Sequence, residues 1–168
     1  MGLDMYLNRK RYSHTNEKGN RVYSEEEVGY WRKANQIHNY IVEHFANGED
    51  NCQPIYLDLK DLENLLDVCE KVRKSITLVD GKLVQSYTFN AQGEKEYHYI
   101  DGKVIKDTST CEELLPTCSG FFFGNTDYNE WYVQDIDYTI DLLKKLIKEE
   151  KELNKQGIYN DFIYEASW

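Results

Sequence analysis

A period of two runs through both ends of the chain. Leu3, Met5 and Leu7 alternate with Asp4, Tyr6 and Asn8, while Phe162, Tyr164, Ala166 and Trp168 alternate with Ile163, Glu165 and Ser167. Side chains two apart share one face of a strand, so each end predicts a strand with one buried face. A chain that must bury apolar strand faces at both termini is excluded from the all-helical class. Between them the period changes. Ser24 and Glu27 have capping-box spacing and predict a helix over residues 25–45 that stops before Asn47-Gly48. Its apolar arc holds Trp31, Ala34, Ile37, Ile41 and Phe45, and Arg32, Gln36, Asn39 and Glu43 take the opposite face. Ile55-Tyr56-Leu57 reads as a short strand, and Asp58 caps a helix over 59–74 with Leu62, Leu65, Leu66, Cys69 and Val72 at core spacing.

Residues 76–107 are rich in Thr, Val, Tyr and Ile and carry turn dipeptides at Asp80-Gly81 and Asp101-Gly102, with a third turn at Asn90-Ala91-Gln92-Gly93. They predict two hairpins or a four-strand meander, inserted as a β-ribbon into a single domain spanning 1–168. The segments around Asp80-Gly81-Lys82 and Asp101-Gly102-Lys103 are near-copies. Thr110 and Glu113 have the spacing of a second capping box, opening a short turn that ends near Pro116. Residues 119–124 read as an apolar strand between glycines. Asn125-Thr126-Asp127 then opens a long helix to about Asn154, closed by Gly157. The sum is an α+β fold: a small, mostly antiparallel sheet packed with about three helices, plus the inserted ribbon.

Charge narrows the partners. The chain carries 20 Lys and Arg against 30 Asp and Glu, for a net charge of −10. Residues 1–45 are close to neutral, at +1, and residues 46–168 carry −11. A phosphate backbone repels such a molecule, so direct nucleic-acid binding is not expected. No stretch approaches the roughly 20 apolar residues of a membrane span, and Met1-Gly2-Leu3-Asp4-Met5 shows no charged region followed by an apolar run, so neither a membrane partner nor a signal peptide is expected. The cysteines, Cys52, Cys69, Cys111 and Cys118, contain no C-x-x-C pair and are expected to be free thiols without a metal. No cofactor motif and no nucleophile elbow occur, so no cofactor and no catalytic set are expected.

Three features point to a ligand. Asn35 and His38 lie three apart, on one helix surface, where they serve either as satisfied core groups or as the lining of a polar pocket. Gly120, Gly124, Asn125 and Thr126 form a strand–glycine–helix start whose unpaired N–H groups suit an anion; an ordinary helix cap accounts for the same residues. The chain has 14 Tyr, 6 Phe and 3 Trp, and Trp31 and Trp131 are candidate stacking walls. Together these eight residues outline a site for a small nucleotide-like ligand.

Four segments carry a resemblance: Met1-Gly2-Leu3-Asp4-Met5-Tyr6-Leu7, the stretch YWRKANQIH at 30–38, Glu113-Leu114-Leu115-Pro116-Thr117, and SGFFFGNTDYNEWY at 119–132. They resemble a family of small proteins common in phages and prophages; the ribbon at 76–107 is outside the shared pattern. The resemblance implies an accessory phage protein of the bacterial cytoplasm, of the kind that disables host defences, and supplies no catalytic residues. Two functions follow as expectations. One is a non-enzymatic sponge that sequesters a nucleotide-like signal. The other is an acidic inhibitor or nucleic-acid mimic that blocks a host defence protein. The sequence leaves homo-oligomerisation open.

Overall fold

The computed structural model describes residues 2–168; Met1, part of the N-terminal segment above, lies outside them. Strands β1 (Asp4–Thr15), β2 (Arg21–Arg32), β3 (Ile55–Leu57) and β6 (Asp161–Ser167) form an antiparallel sheet in the order β2-β1-β6-β3. Strands β4 (Leu78–Phe89) and β5 (Lys95–Ile105) form a separate antiparallel ribbon. Helices α1 (Asn35–Phe45), α2 (Leu59–Ser75), α3 (Ser109–Leu114) and α4 (Glu130–Lys155) complete the α+β fold. No helix of the described residues is long and apolar enough to cross a membrane.

The two termini meet in the middle of the sheet. Met5 pairs with Ala166 and Leu7 with Tyr164, and residues directly opposite in a ladder share a face. That face is the core side: Leu3, Met5, Leu7, Phe162 and Tyr164 are all essentially inaccessible. Onto it pack Ile37 and Ile41 from α1, Leu62, Leu65 and Val72 from α2, and Ile136, Leu143 and Leu146 from α4. Asp58 caps α2 through a reciprocal capping box with Asp61, as the sequence predicts. Gly157, with φ +76, follows the end of α4.

The predicted helix over 25–45 is half strand. Residues 21–32 pair with β1, and the helix starts only at Asn35. The basic run at 9–11 lies opposite residues 24–26, so Arg9 faces Glu26 at 3.5 Å and Lys10 faces Glu25 at 3.6 Å. Cross-strand charge pairing and the turn at Asn16–Asn20 outweigh a local capping pattern. Gly29 makes the packing possible: a Cβ there would lie 2.6 Å from Leu142 of α4. Lys33, in the left-handed region with φ 61, turns the chain from β2 into α1.

The ribbon is one hairpin, not a meander. Gly81 pairs with Gly102, so the two near-copies face each other in antiparallel register. Asp-Gly-Lys is self-complementary in that arrangement: Asp80 meets Lys103 and Lys82 meets Asp101. The turn lies only at Asn90–Glu94. The two glycines are needed for space, since a Cβ on Gly102 would strike the Leu83 side chain and one on Gly81 would lie 2.6 Å from Val104.

Two further expectations are corrected. Residues 119–124 form no strand, and the long helix starts at Glu130 rather than 127. Asn129 caps it, accepting from the backbone N–H groups of Trp131 and Tyr132. The preceding residues are drawn into a loop by bonds to α1, described below. Helix α3 starts at Ser109, where Asp107 accepts from the Ser109 N–H, and not at a box formed by Thr110 and Glu113.

Candidate functional site

The site is built by Asn35. Its Nδ2 donates to the carbonyls of Phe123 at 3.2 Å and Asn125 at 2.9 Å, and its Oδ1 accepts from the Cys118 N–H at 3.1 Å. One buried amide therefore clamps a loop across the start of α1. Thr117 reinforces it by donating to the Thr126 carbonyl, and Tyr132 by donating to that of Leu115. Leu3 N–H bonds the Phe122 carbonyl, and Phe122 itself is left-handed, with φ 59. Gly124, at φ +90, lies against the Lys33 side chain, and a Cβ there would come within 3.0 Å of it.

That loop forms one wall of a groove of about 880 Å³, and the ribbon forms the other. Tyr87, Tyr97 and Tyr99 line it from the ribbon, and Phe122, Gly124, Asn125 and Thr126 from the loop. A bulge sets the aromatic wall. Val84 pairs with Tyr99 and Tyr87 with Tyr97, with one extra residue on β4 between them, so the three tyrosines fall on one face. The rings are half exposed, as is Phe122. Lys33 and Lys95 edge the groove, with Lys95 Nζ 4.3 Å from the Tyr87 ring centre. Asp127 is the one carboxylate in the lining, against the strongly acidic balance of the chain.

A second, smaller pocket of about 290 Å³ shares Lys33, Gly124, Asn125 and Asp127 with the groove and continues toward α4. Trp131, Gln36 and Asp135 line it. Gln36 was expected on the solvent side of its helix but is buried: Nε2 donates to Asp135 Oδ2 at 3.2 Å, beneath the first turn of α4. Burial raises the Asp135 carboxyl to about 6, against the lowering effect of the Gln36 bond. A wider depression of about 710 Å³ over α2 and α4 is edged by Lys144 and Lys151, which are already paired with Glu70 and Glu63.

Gly124, Asn125, Thr126 and Trp131 thus lie at the two connected cavities. Gly120 lines neither of them; a Cβ there would lie 2.6 Å from the Phe123 ring. Trp31 and His38 are core. Trp31 donates Nε1–H to Thr139 Oγ1 at 2.9 Å on the sheet's inner face. His38 has both ring nitrogens bound, Nδ1 to Tyr164 Oη at 2.7 Å and Nε2 to Asp50 at 2.9 Å, and Asp50 also accepts from Trp168 Nε1. This network ties α1 to the last strand. All four cysteines are free, and no group of three or more His, Cys, Asp or Glu with metal-binding geometry occurs among the described residues.

Comparison with protein-family models, curated proteins and solved structures finds no match. The functional reading therefore rests on the geometry of the two cavities. Sequence reasoning missed Tyr87, Tyr97 and Tyr99, Phe122, Lys33, Lys95, Gln36 and Asp135. Tyr97-His98-Tyr99, a period-two aromatic pair on a strand, was the available signal.

Proposed function

We propose that the protein binds and sequesters a small, anionic, aromatic ligand of nucleotide type in the groove between ribbon and loop. The observation that carries this reading is the lining itself: three tyrosines and a phenylalanine held half exposed, edged by two lysines, on a molecule of net charge −10. Exposed rings on a rigid strand offer stacking faces to a base, and the lysines attract phosphate as point charges. A role as a phage-encoded counter-defence sponge in bacterial cytoplasm fits this chemistry and follows from the segment resemblance. The acidic-inhibitor reading has weaker support, because many C-terminal acids alternate with lysines that neutralise them, as in the pairs of Lys145 with Glu149 and Lys155 with Glu152.

Calorimetric titration with nucleoside mono- and diphosphates and cyclic nucleotides tests the proposal. Saturable binding is expected, weakened at least about tenfold by Tyr97→Ala through lost stacking and reduced by Lys33→Ala. Binding that is indifferent to both substitutions, or no binding to any nucleotide, overturns it.

A further inference from the structure

The smaller pocket differs from the groove in chemistry. Its inner end presents hydrogen-bond acceptors. Asp135 uses Oδ2 to accept from Gln36, leaving Oδ1 without a protein donor among the described residues. A carboxylate oxygen without a protein donor at a cavity wall is free to accept from a ligand. Trp131, partly exposed, supplies a flat side wall, and Lys33 stands at the mouth where the pocket joins the groove.

We infer that this pocket is a base-recognition subsite that selects guanine, with the Asp135 carboxylate accepting from the N1–H and the exocyclic amine while the ring lies against Trp131 and the phosphate reaches Lys33. The inference rests on the nucleotide reading of the adjoining groove: a base that lacks those two donors stays on the ribbon tyrosines, guanine takes the smaller pocket, and Lys33, which lines both, holds the phosphate in either place, so Tyr97→Ala should weaken AMP more than GMP. Guanine presents two adjacent donors on its Watson–Crick edge, which a carboxylate accepts together. Adenine presents an acceptor at N1 beside one donor, so the same carboxylate would face a lone pair. A site built to accept hydrogen bonds rejects a ligand that lacks the donors more strongly than an apolar pocket rejects a size change.

The carboxylate must be ionised to accept both bonds. Burial moves its protonation close to neutrality, so discrimination is expected to rise with pH. The charged and titratable groups around it are Arg32 and Lys33 from the β2–α1 junction, Asp127 from the loop and Tyr132 from α4.

The experiment titrates the full chain with GMP, IMP and AMP by calorimetry at pH 5.5 and pH 8. The expected order at pH 8 is GMP, then IMP, then AMP, with GMP favoured over AMP by about tenfold or more. The ratio should shrink at pH 5.5. Asp135→Asn, which keeps the shape and can still accept from Gln36, should bring GMP down toward AMP without changing AMP affinity. Equal binding of GMP and AMP, a preference for AMP, or a GMP preference that survives Asp135→Asn would overturn the guanine assignment and leave the groove reading standing. Failure of all three nucleotides to bind would overturn both.

Discussion

If Asp135 reads guanine as proposed, it links stability to recognition, and the two roles have opposite signs. Burial lifts its carboxyl from an ordinary 3.8 to about 6. The folded state therefore holds a proton more tightly than the unfolded state does. The sign follows from linkage: the raised value places no penalty on the fold below about pH 4, the penalty grows as pH rises toward 6, and it is fully present above that. A displacement of that size corresponds to about 3 kcal/mol, and since the side chain keeps some solvent contact, about 2 kcal/mol is the working figure. Asp135→Asn removes the titration and should stabilise the protein by about 2 kcal/mol at pH 7.5, or several degrees in Tm for a domain of this size, while giving almost no change near pH 4. Urea unfolding of both proteins across that range measures it, at low concentration because the sequence pI is about 4.9. A variant less stable than the parent at pH 7.5, or a difference that does not vary with pH, would show that the carboxylate is held by favourable contacts and that the desolvation argument is wrong. A stabilised variant that binds GMP less well would be the pattern of a functional group retained at a cost in stability.

His38→Ala should destabilise the protein by about 3 kcal/mol, because it takes the partner from the Tyr164 hydroxyl and from Asp50 Oδ2 and opens a cavity; denaturant midpoints check this, and the folded fraction should bind nucleotide normally. Asn35→Ala should release the loop over 118–125, read as loss of amide-exchange protection at Cys118 and as weakened binding at both cavities. Joining Leu83 to Ile100, which face each other in the ribbon, through an Asn-Gly turn should leave unfolding cooperative while abolishing AMP binding in the groove, since the buried Leu83 and Ile105 are retained and the tyrosines are not. Loss of cooperative unfolding in that protein would place the outer ribbon in the core. Gly102→Val should destabilise the ribbon through collision with Leu83, seen as a lowered thermal midpoint.

Elements whose pattern reflects burial on one face were legible. Leu3, Met5 and Leu7, the Leu62–Val72 stripe and the alternation at 162–166 each reach the core as expected. Elements decided by a partner elsewhere in the chain were not. Ser24 and Glu27 satisfy a capping rule locally, yet the strand they belong to is chosen by the charges at 9–11, about fifteen residues away. Asp80-Gly81 and Asp101-Gly102 satisfy a turn rule locally, yet each is paired by the other. In both cases the missed signal was complementarity between two segments: opposite charge runs in the first, a self-complementary tripeptide in the second. Local chemistry proposes a conformation, and pairing at a distance selects between the proposals.

The same distinction explains the site. Gly124, Asn125, Thr126 and Trp131 were found because they share one stretch of sequence, and Asn35 because an amide on an apolar face must have partners. What Asn35 does could not be read, since its three backbone partners come from a loop more than eighty residues away. The groove's other wall depends on a register detail: were Gln85 paired rather than bulged, Tyr87 would fall opposite Glu96 and point away from Tyr97 and Tyr99. Giving Gln85 a partner, by inserting one alanine between His98 and Tyr99, is therefore a sharper test than removing any ring. It leaves all three tyrosines in the chain and keeps Val84 opposite Tyr99 and Tyr87 opposite Tyr97, but with two full pairs between them Tyr99 lies on the opposite face from Tyr87 and Tyr97. AMP binding should fall as far as in Tyr97→Ala, while the sheet and helices, which share no pairing with this part of the ribbon, keep their amide-exchange protection. Deleting Gln85 is the control, since it keeps the same pairs and the same face and should keep binding. Unchanged binding after the insertion would mean that ring orientation does not matter, and that the stacking wall lies elsewhere.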